Sequence, residues 1–172
     1  LVEEVAESLN VRAVMKDVDL VLDVDPHLPA EVVGDPKRVR QILVNLVGNA
    51  VKFTEQGDVV VDVAAEGVTA DAASLRFTVS DTGIGIAEEK IPELFRPFAQ
   101  ADSSISRRYG GTGLGLSITQ QLVQMMGGSI GITSKLGEGS TIRLIIAFAP
   151  SLAIAECKAV EGLNLSGKHI LV

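Results

Sequence analysis

GDPKRVRQILVNLVGNAVKF, residues 34–53, is the stretch on which the reading of this chain turns. Asp35 stands where a helix N-cap accepts from backbone N–H groups, and Pro36 follows at the first helical position, where its missing N–H costs nothing. Val39, Leu43, Leu46, Val47, Ala50 and Val51 then recur at helical spacing and fill one broad arc. Opposite them lie Arg38, Gln41, Asn45, Gly48, Asn49 and Lys52. A solvated helix face is normally built from Glu, Lys and Arg, whereas Asn and Gly each give up roughly 0.5–1 kcal/mol of helix propensity relative to Ala. Two asparagines one turn apart, with a lysine three residues on, suit a metal and a phosphate better than bulk water. An amide oxygen is a neutral hard ligand for Mg²⁺, and an ammonium is a compact phosphate partner.

Outward from this helix the pattern alternates element types. Upstream, residues 1–16 read as a helix with Leu1, Val5, Leu9 and Val11 set among Glu3, Glu4 and Glu7, uncapped, as if the chain continues before it. Residues 18–24 read as a strand with Val18, Leu20, Leu22 and Val24 on its apolar face, ended by Asp25 and Pro26. Downstream, a turn at Gly57 and Asp58 leads to a strand with Val59, Val61 and Val63 inward, a polar, alanine-rich loop over 65–73, and a strand over 74–81. A short helix over 87–94 and an irregular polar stretch over 95–109 follow. A helix from Gly113 to about Met126, stopped by Gly127 and Gly128, precedes two strands over 129–134 and 140–148 that turn at Gly137 and Gly139, and Pro150 closes the domain. This order predicts an α+β fold, an antiparallel or mixed sheet with helices on one face.

Composition narrows the chemistry. Of 172 residues, 47% are apolar and 22% charged, which fits one folded domain rather than a disordered tail. A net charge of −7 argues against a surface made to hold nucleic-acid phosphates, and 3% aromatics without a Trp offer no base-stacking platform. One cysteine, Cys157, excludes an internal disulfide and a Cys-rich zinc module, and His27 and His169 alone make no histidine metal cluster. Apolar runs are too short to span a bilayer and residues 1–10 do not read as a signal peptide. The expectation is a reduced, cytoplasmic domain with no nucleic-acid partner and no direct membrane contact, whether or not its parent is membrane-anchored.

Two further clusters carry chemistry. Leu75, Phe77 and Val79 share one strand parity and face the core, and Asp81 has the same parity. A carboxylate buried without donors costs several kcal/mol, so Asp81 needs either a backbone amide or a ligand donor such as the exocyclic amine of adenine. Gly83 and Gly85 behind it would let backbone approach a flat base. Gly110, Gly111, Gly113 and Gly115 run straight into a helix, the geometry of an anion site with free N–H groups and the positive end of the dipole. The chain has no GxxxxGK[ST], no GxGxxG after a strand, and no VAIK, HRD or DFG elements, which sets aside P-loop, dinucleotide-binding and eukaryotic-type protein kinase folds.

Taken together, NLVGNAVKFT (45–54), DTGIG (81–85), FRPF (95–98) and GGTGLGL (110–116) resemble the catalytic ATP-binding domain of sensor histidine kinases, within the Bergerat-fold ATPase/kinase superfamily. The resemblance covers roughly residues 1–149 and implies a two-layer α/β sandwich, a mixed sheet of about five strands with three main helices on one face. It implies that Asn49 ligates Mg²⁺, that Asn45 and Lys52 approach the phosphates of ATP, and that Arg107 or Arg108 reaches the γ-phosphate; Asn45, Lys52, Arg107 and Arg108 form the catalytic set. Asp81 would read adenine N6, with Phe53, Gly83, Gly85 and Ile86 shaping the pocket and Thr141 touching the base side. Tyr109, Gly110, Gly111, Thr112, Gly113, Leu114, Gly115 and Leu116 would wrap the triphosphate, and Phe95 and Phe98 would sit at the base of a lid. Residues 99–109, polar and carrying two arginines beside the glycine turn, have the profile of such a lid, whose closure would deliver positive charge to a transferring phosphoryl group.

Hydrolysing members of the superfamily, type II topoisomerases and mismatch-repair ATPases, use a glutamate one turn before the metal-binding asparagine to activate water. Here that position is Asn45, and an amide cannot accept the proton, which favours transfer to an imidazole. The family's phosphoacceptor histidine, on a dimerising two-helix segment, has no counterpart here; His27 lies in a loop after a strand. LNLSGKHILV (163–172) looks like the opening strand of a receiver domain. The expected organisation is therefore a catalytic domain over 1–149, a linker over 150–163 and a truncated receiver start over 164–172, as in a hybrid kinase. Its partners would be the dimerisation and phosphoacceptor domain of the same protein and a receiver domain or response regulator. Two rivals remain, a nucleotide-sensing module without phosphotransfer and an ATP-hydrolysing relative.

Overall fold

Asp35 does what its position promises: its carboxylate accepts the N–H groups of Lys37 at 3.0 Å and Arg38 at 3.2 Å and so starts helix α2 (Pro36–Phe53). Every apolar residue of the predicted arc is buried, and Ile42 joins them. In this computed structural model, residues 1–69, 72–96 and 113–150 are described. Their other elements are α1 (Val2–Val14), β1 (Val18–Val24), β2 (Val32–Val33), β3 (Gly57–Val68), β4 (Ala73–Asp81), a 3-10 helix (Glu88–Glu93), α3 (Gly115–Met125), β5 (Ser129–Lys135) and β6 (Gly139–Pro150).

The fold is α+β, two layers deep, with one mixed sheet. β1 pairs parallel with β3, β3 antiparallel with β4, β4 with β6, and β6 with β5; β2 adds two residues at the far end of β6. A single core joins one parity of the strands (Val59, Val61, Val63; Leu75, Phe77, Val79; Leu144, Ile146, Phe148) to Val5 and Leu9 of α1, the apolar arc of α2, and Val123 of α3. Each such side chain contributes about 1.5–3 kcal/mol by leaving water. The helices thus cover one sheet face.

Three expectations need correction, and one short strand was not foreseen. The loop expected over 65–73 is mostly strand: β3 continues to Val68 and β4 begins at Ala73, closed by Thr69 N–H donating to the Ala72 carbonyl at 2.8 Å. A register shift between Ala65 and Gly67 breaks the period-2 pattern that sequence reading relies on, and Arg76 pins the irregular segment through Glu66 at 3.2 Å and Asp62 at 3.6 Å. In α1, Val11 is 64% exposed and Ala13 takes the buried place, because burial follows Val5, Leu9 and Ala13 at intervals of one turn. β2 is a two-residue pairing too short to show alternation. The helix expected from Gly113 begins at Gly115, because Gly113 holds a φ of +70° outside helical space.

Candidate functional site

The polar arc of α2 faces a cavity of about 660 Å³. Asn45, Gly48, Asn49 and Lys52 form its α2 side, and Gly115, Ile118 and Thr119 of α3 stand across from them. The site's proposed amides and lysine are therefore brought together. Arg38, from the same arc, is not part of the lining; its Nε turns back to Asp35 Oδ2 at 3.1 Å. Arg12 of α1 and Lys37 and Arg40 of α2 complete a lining with four cations and, among the described residues, no carboxylate, in a chain of net charge −7. Sequence reading missed these three. Lys37 and Arg40 lie two turns and one turn before Val44 on the exposed side of α2, a visible signal; Arg12 arrives from another helix and gave none. Such focused positive charge draws a polyanion.

Asn45 is held in place. Its amide nitrogen donates to Thr119 Oγ1 at 2.8 Å, and a Cβ at Gly115 would stand 2.3 Å from its Oδ1. Gly115 thus lets the first turn of α3 lie against the Asn45 amide. Leu114, at the N-cap of α3, offers no side-chain acceptor and the first turn has no acid, so the positive end of this helix is turned to the cavity without a carboxylate of its own. Leu116, expected among the residues that wrap the triphosphate, is partly buried and its side chain packs on the hydrophobic core.

Asp81 lies at the end of β4 on the core-facing side, paired with Ser140 of β6. Its Oδ1 accepts Gly83 N–H at 2.9 Å. Burial raises its pKa from the ordinary aspartate value, against the N–H groups of Gly83 and Ser140, which favour the charged form. The backbone partner that a purely structural aspartate needs is therefore present, yet desolvation outweighs it. Asp81 does not line the cavity. It is joined to it through the last turn of α2: Ile84 N–H donates to the Phe53 carbonyl at 3.2 Å, and Phe53 follows Asn49 by one turn. Lys52 Nζ lies 4.8 Å from the centre of the Phe53 ring.

The glycines behind Asp81 stand tight against neighbouring backbone. A Cβ at Gly85, whose φ is +64°, would meet the Lys135 carbonyl oxygen at 2.0 Å, and one at Gly83 would meet the Phe53 carbonyl oxygen at 2.5 Å. Both positions accommodate neighbouring backbone. Ile86 N–H donates to Ser134 Oγ at 2.8 Å, and Ser134 in turn contacts the Gly139 carbonyl at 2.8 Å and Ser140 Oγ at 2.9 Å. Thr141, expected on the base side, pairs with Ser80 on the sheet face opposite that of Asp81, their hydroxyls 3.0 Å apart, because one residue along a strand reverses the side. Ser140, on the face of Asp81, is the residue that extending Asp81's parity across the sheet would have found. Phe95 is described and half-buried, whereas Phe98, Arg107, Arg108, Tyr109, Gly110, Gly111 and Thr112 lie outside the described residues.

Comparison with known proteins identifies the family. The profile of the family described as "Histidine kinase-, DNA gyrase B-, and HSP90-like ATPase" matches residues 34–150. The hybrid signal transduction protein dokA of Dictyostelium discoideum is 48% identical over 141 residues, 81% of this chain and 8% of that protein. The sensor histidine kinase GacS of Pseudomonas protegens is 45% identical over 172 residues, 100% of this chain and 18% of that one. The chain thus spans less than a fifth of either relative. Among solved structures, full-length ShkA in complex with AMPPNP superposes with a TM-score of 0.75 at 36% identity, over 87% of this chain and 30% of that chain. The catalytic domain of the histidine kinase ThkA, nucleotide-free, superposes with a TM-score of 0.69 at 27% identity, over 85% of this chain and 90% of that one.

Proposed function

This chain belongs to the histidine kinase-, DNA gyrase B-, and HSP90-like ATPase family, and we propose that it is the ATP-binding catalytic domain of a two-component hybrid sensor kinase. In this reading it transfers the γ-phosphoryl group of Mg-ATP to a histidine on a dimerisation and phosphoacceptor domain of the same protein, and a receiver domain or response regulator takes the phosphoryl group onward. The observation that carries it is the cation-lined cavity in which Asn45, Asn49 and Lys52 meet the first turn of α3, with Asp81 tied to the same helix end. The AMPPNP bound by ShkA supports ATP as the nucleotide. Likeness to GacS along all 172 residues supports a multidomain parent. No helix among the described residues is long and apolar enough to cross a membrane.

The residues present fit Mg²⁺ in the way nucleotide sites use it. Among the described residues no group of three His, Cys, Asp or Glu side chains encloses a metal alone, so Asn49 would supply one oxygen and the nucleotide and water the rest. When bound, the ion offsets charge on the phosphate oxygens. The chain's own part is to place Lys52 and the N-terminus of α3 at those oxygens and to seat adenine against Asp81. Asn45, anchored to Thr119, has no basic atom to take a proton from water. The acceptor imidazole needs no such help, and its nitrogen forms the new P–N bond as the O–P bond to ADP breaks.

Mixing the domain with labelled ATP and a separate fragment bearing the dimerisation histidine tests this. Acid-labile, base-stable label on the fragment is the expected result. Inorganic phosphate without labelled protein points to a hydrolysing machine, and tight binding with neither product points to a nucleotide sensor.

A further inference from the structure

The last turn of α2 ends without a glycine. Thr54 follows Phe53 in extended conformation, and its N–H and Oγ1 both bond the Ala50 carbonyl, at 3.0 and 2.8 Å. The carbonyls left over at a helix C-terminus need donors from elsewhere. Lys16 supplies them. Its ammonium donates to the carbonyls of Val51 at 2.7 Å, Lys52 at 2.8 Å and Thr54 at 2.6 Å. An ammonium has three protons, and here each has a partner. The remaining carbonyl, that of Phe53, accepts Ile84 N–H from the Asp81 loop. Lys16 itself is set at the exit of α1, its N–H on the Ala13 carbonyl at 2.9 Å, and Asp17 turns the chain into β1 through a φ of +59°.

We propose that Lys16 is a positioning residue of the nucleotide site: by tying down the last turn of α2 it fixes where Asn49, Lys52 and, through the Phe53 carbonyl, the Asp81 loop stand. It touches no nucleotide in this arrangement and rests on the nucleotide-site reading above. A cation is also the right charge for the negative end of the α2 dipole. Desolvation pulls the Lys16 pKa below the ordinary lysine value while nearby Glu55 opposes it, as befits a partly buried ammonium at a helix end.

Lys16→Met keeps the aliphatic stem and removes the donors, and Lys16→Arg restores a donor head of different shape. Both are made in the 172-residue chain. They are measured for Mg-ATP affinity by calorimetry, for melting without nucleotide, and for hydrogen exchange at the Ile84 amide. At a temperature where Lys16→Met is folded, its Kd should rise about tenfold and Ile84 should exchange faster, while the β4–β6 ladder keeps its protection. Lys16→Arg should recover part of the affinity. An unchanged Kd overturns the proposal, and so does protection lost evenly across the sheet, which marks plain destabilisation. If Lys16→Met does not fold, Ile84 exchange in Lys16→Arg decides: faster upholds the clamp, unchanged overturns it. A parent chain that binds no Mg-ATP sinks the nucleotide reading instead, a result distinct from a parent that binds and a Lys16→Met that binds equally well.

Discussion

Asp81→Asn separates recognition from folding. The substitution keeps the shape of the side chain and removes its charge. In the parent, Oδ1 accepts Gly83 N–H at 2.9 Å, and burial pushes the carboxyl pKa upward. An asparagine carbonyl can take over the Gly83 N–H, but the amide NH₂ then faces the adenine amine, donor against donor. A hydrogen bond to a charged acceptor is worth about 1.5–3 kcal/mol, and tenfold in affinity is about 1.4 kcal/mol. Mg-ATP affinity should therefore fall by roughly tenfold to a hundredfold. Stability should move the other way or not at all, because the neutral amide escapes the desolvation that disfavours the carboxylate. The pH dependence has a definite sign. A folded-state pKa raised above the unfolded value means that the native state binds the proton more readily. The penalty of the buried carboxylate is thus present at neutral pH and relieved as pH falls through the raised pKa. ATP affinity should decline over that same acid limb, beginning above the ordinary aspartate range, and Asp81→Asn should flatten it. Calorimetric titration with ATP and GTP across pH, beside thermal melts without nucleotide, measures all of this. A variant that binds ATP as tightly as the parent, with the same preference over GTP, refutes the adenine assignment.

Three other substitutions probe the rest of the site. Asn49→Ala should remove most of the Mg²⁺ dependence of ATP binding, by about tenfold or more, read by titrating Mg²⁺ at fixed nucleotide. Gly85→Ala places a Cβ 2.0 Å from the Lys135 carbonyl at a φ of +64°, and should destabilise the fold by more than about 2 kcal/mol in urea denaturation. Thr119→Val keeps the volume but deprives the Asn45 amide of its acceptor, which should cost about 1 kcal/mol and quicken exchange of the first α3 amides while leaving the β-sheet protected.

The α2 helix was legible because its determinants are local: Asp35 and Pro36 start it, and its apolar arc names its buried face without knowledge of any partner. Asp81 was legible for the same reason, since strand parity is set within the strand. What sequence reading missed is tertiary. Arg12 enters the cavity from α1, and Lys16 reaches carbonyls 35, 36 and 38 residues away, so neither position carries a periodic signal. The end of β3 was lost where the register shift at Ala65 and Gly67 interrupts alternation. Thr141 was chosen on resemblance alone. Carrying parity from Asp81 across the sheet leads to its partner Ser140 rather than Thr141, because adjacent strand residues point to opposite faces.

The glycines say how the two sides of the proposed site differ physically. Gly139, with a Cβ position 1.9 Å from the Asp81 carbonyl, and Gly85, against Lys135, interlock the Asp81 loop with the β5–β6 turn. Gly137 N–H donating to the Ile84 carbonyl at 2.8 Å and the Ser134 hydroxyl bridging Ile86 to Ser140 tighten the same joint. The proposed acceptor for adenine therefore stands on a frame held by backbone contacts, and in that reading binding there spends little on ordering the chain. Gly48 and the cations around it form the opposite case: among the described residues, no atom outside its own helix backbone and chain neighbours lies within 4 Å of a Gly48 Cβ, and it lines the cavity. Substitutions on the two sides should consequently fail in different ways. On the frame, Gly85→Ala should lose folding and binding together, and on the open side Asn49→Ala should lose binding with the melting temperature of the nucleotide-free chain intact. Equal losses of stability from both would mean that the cavity is part of the core after all.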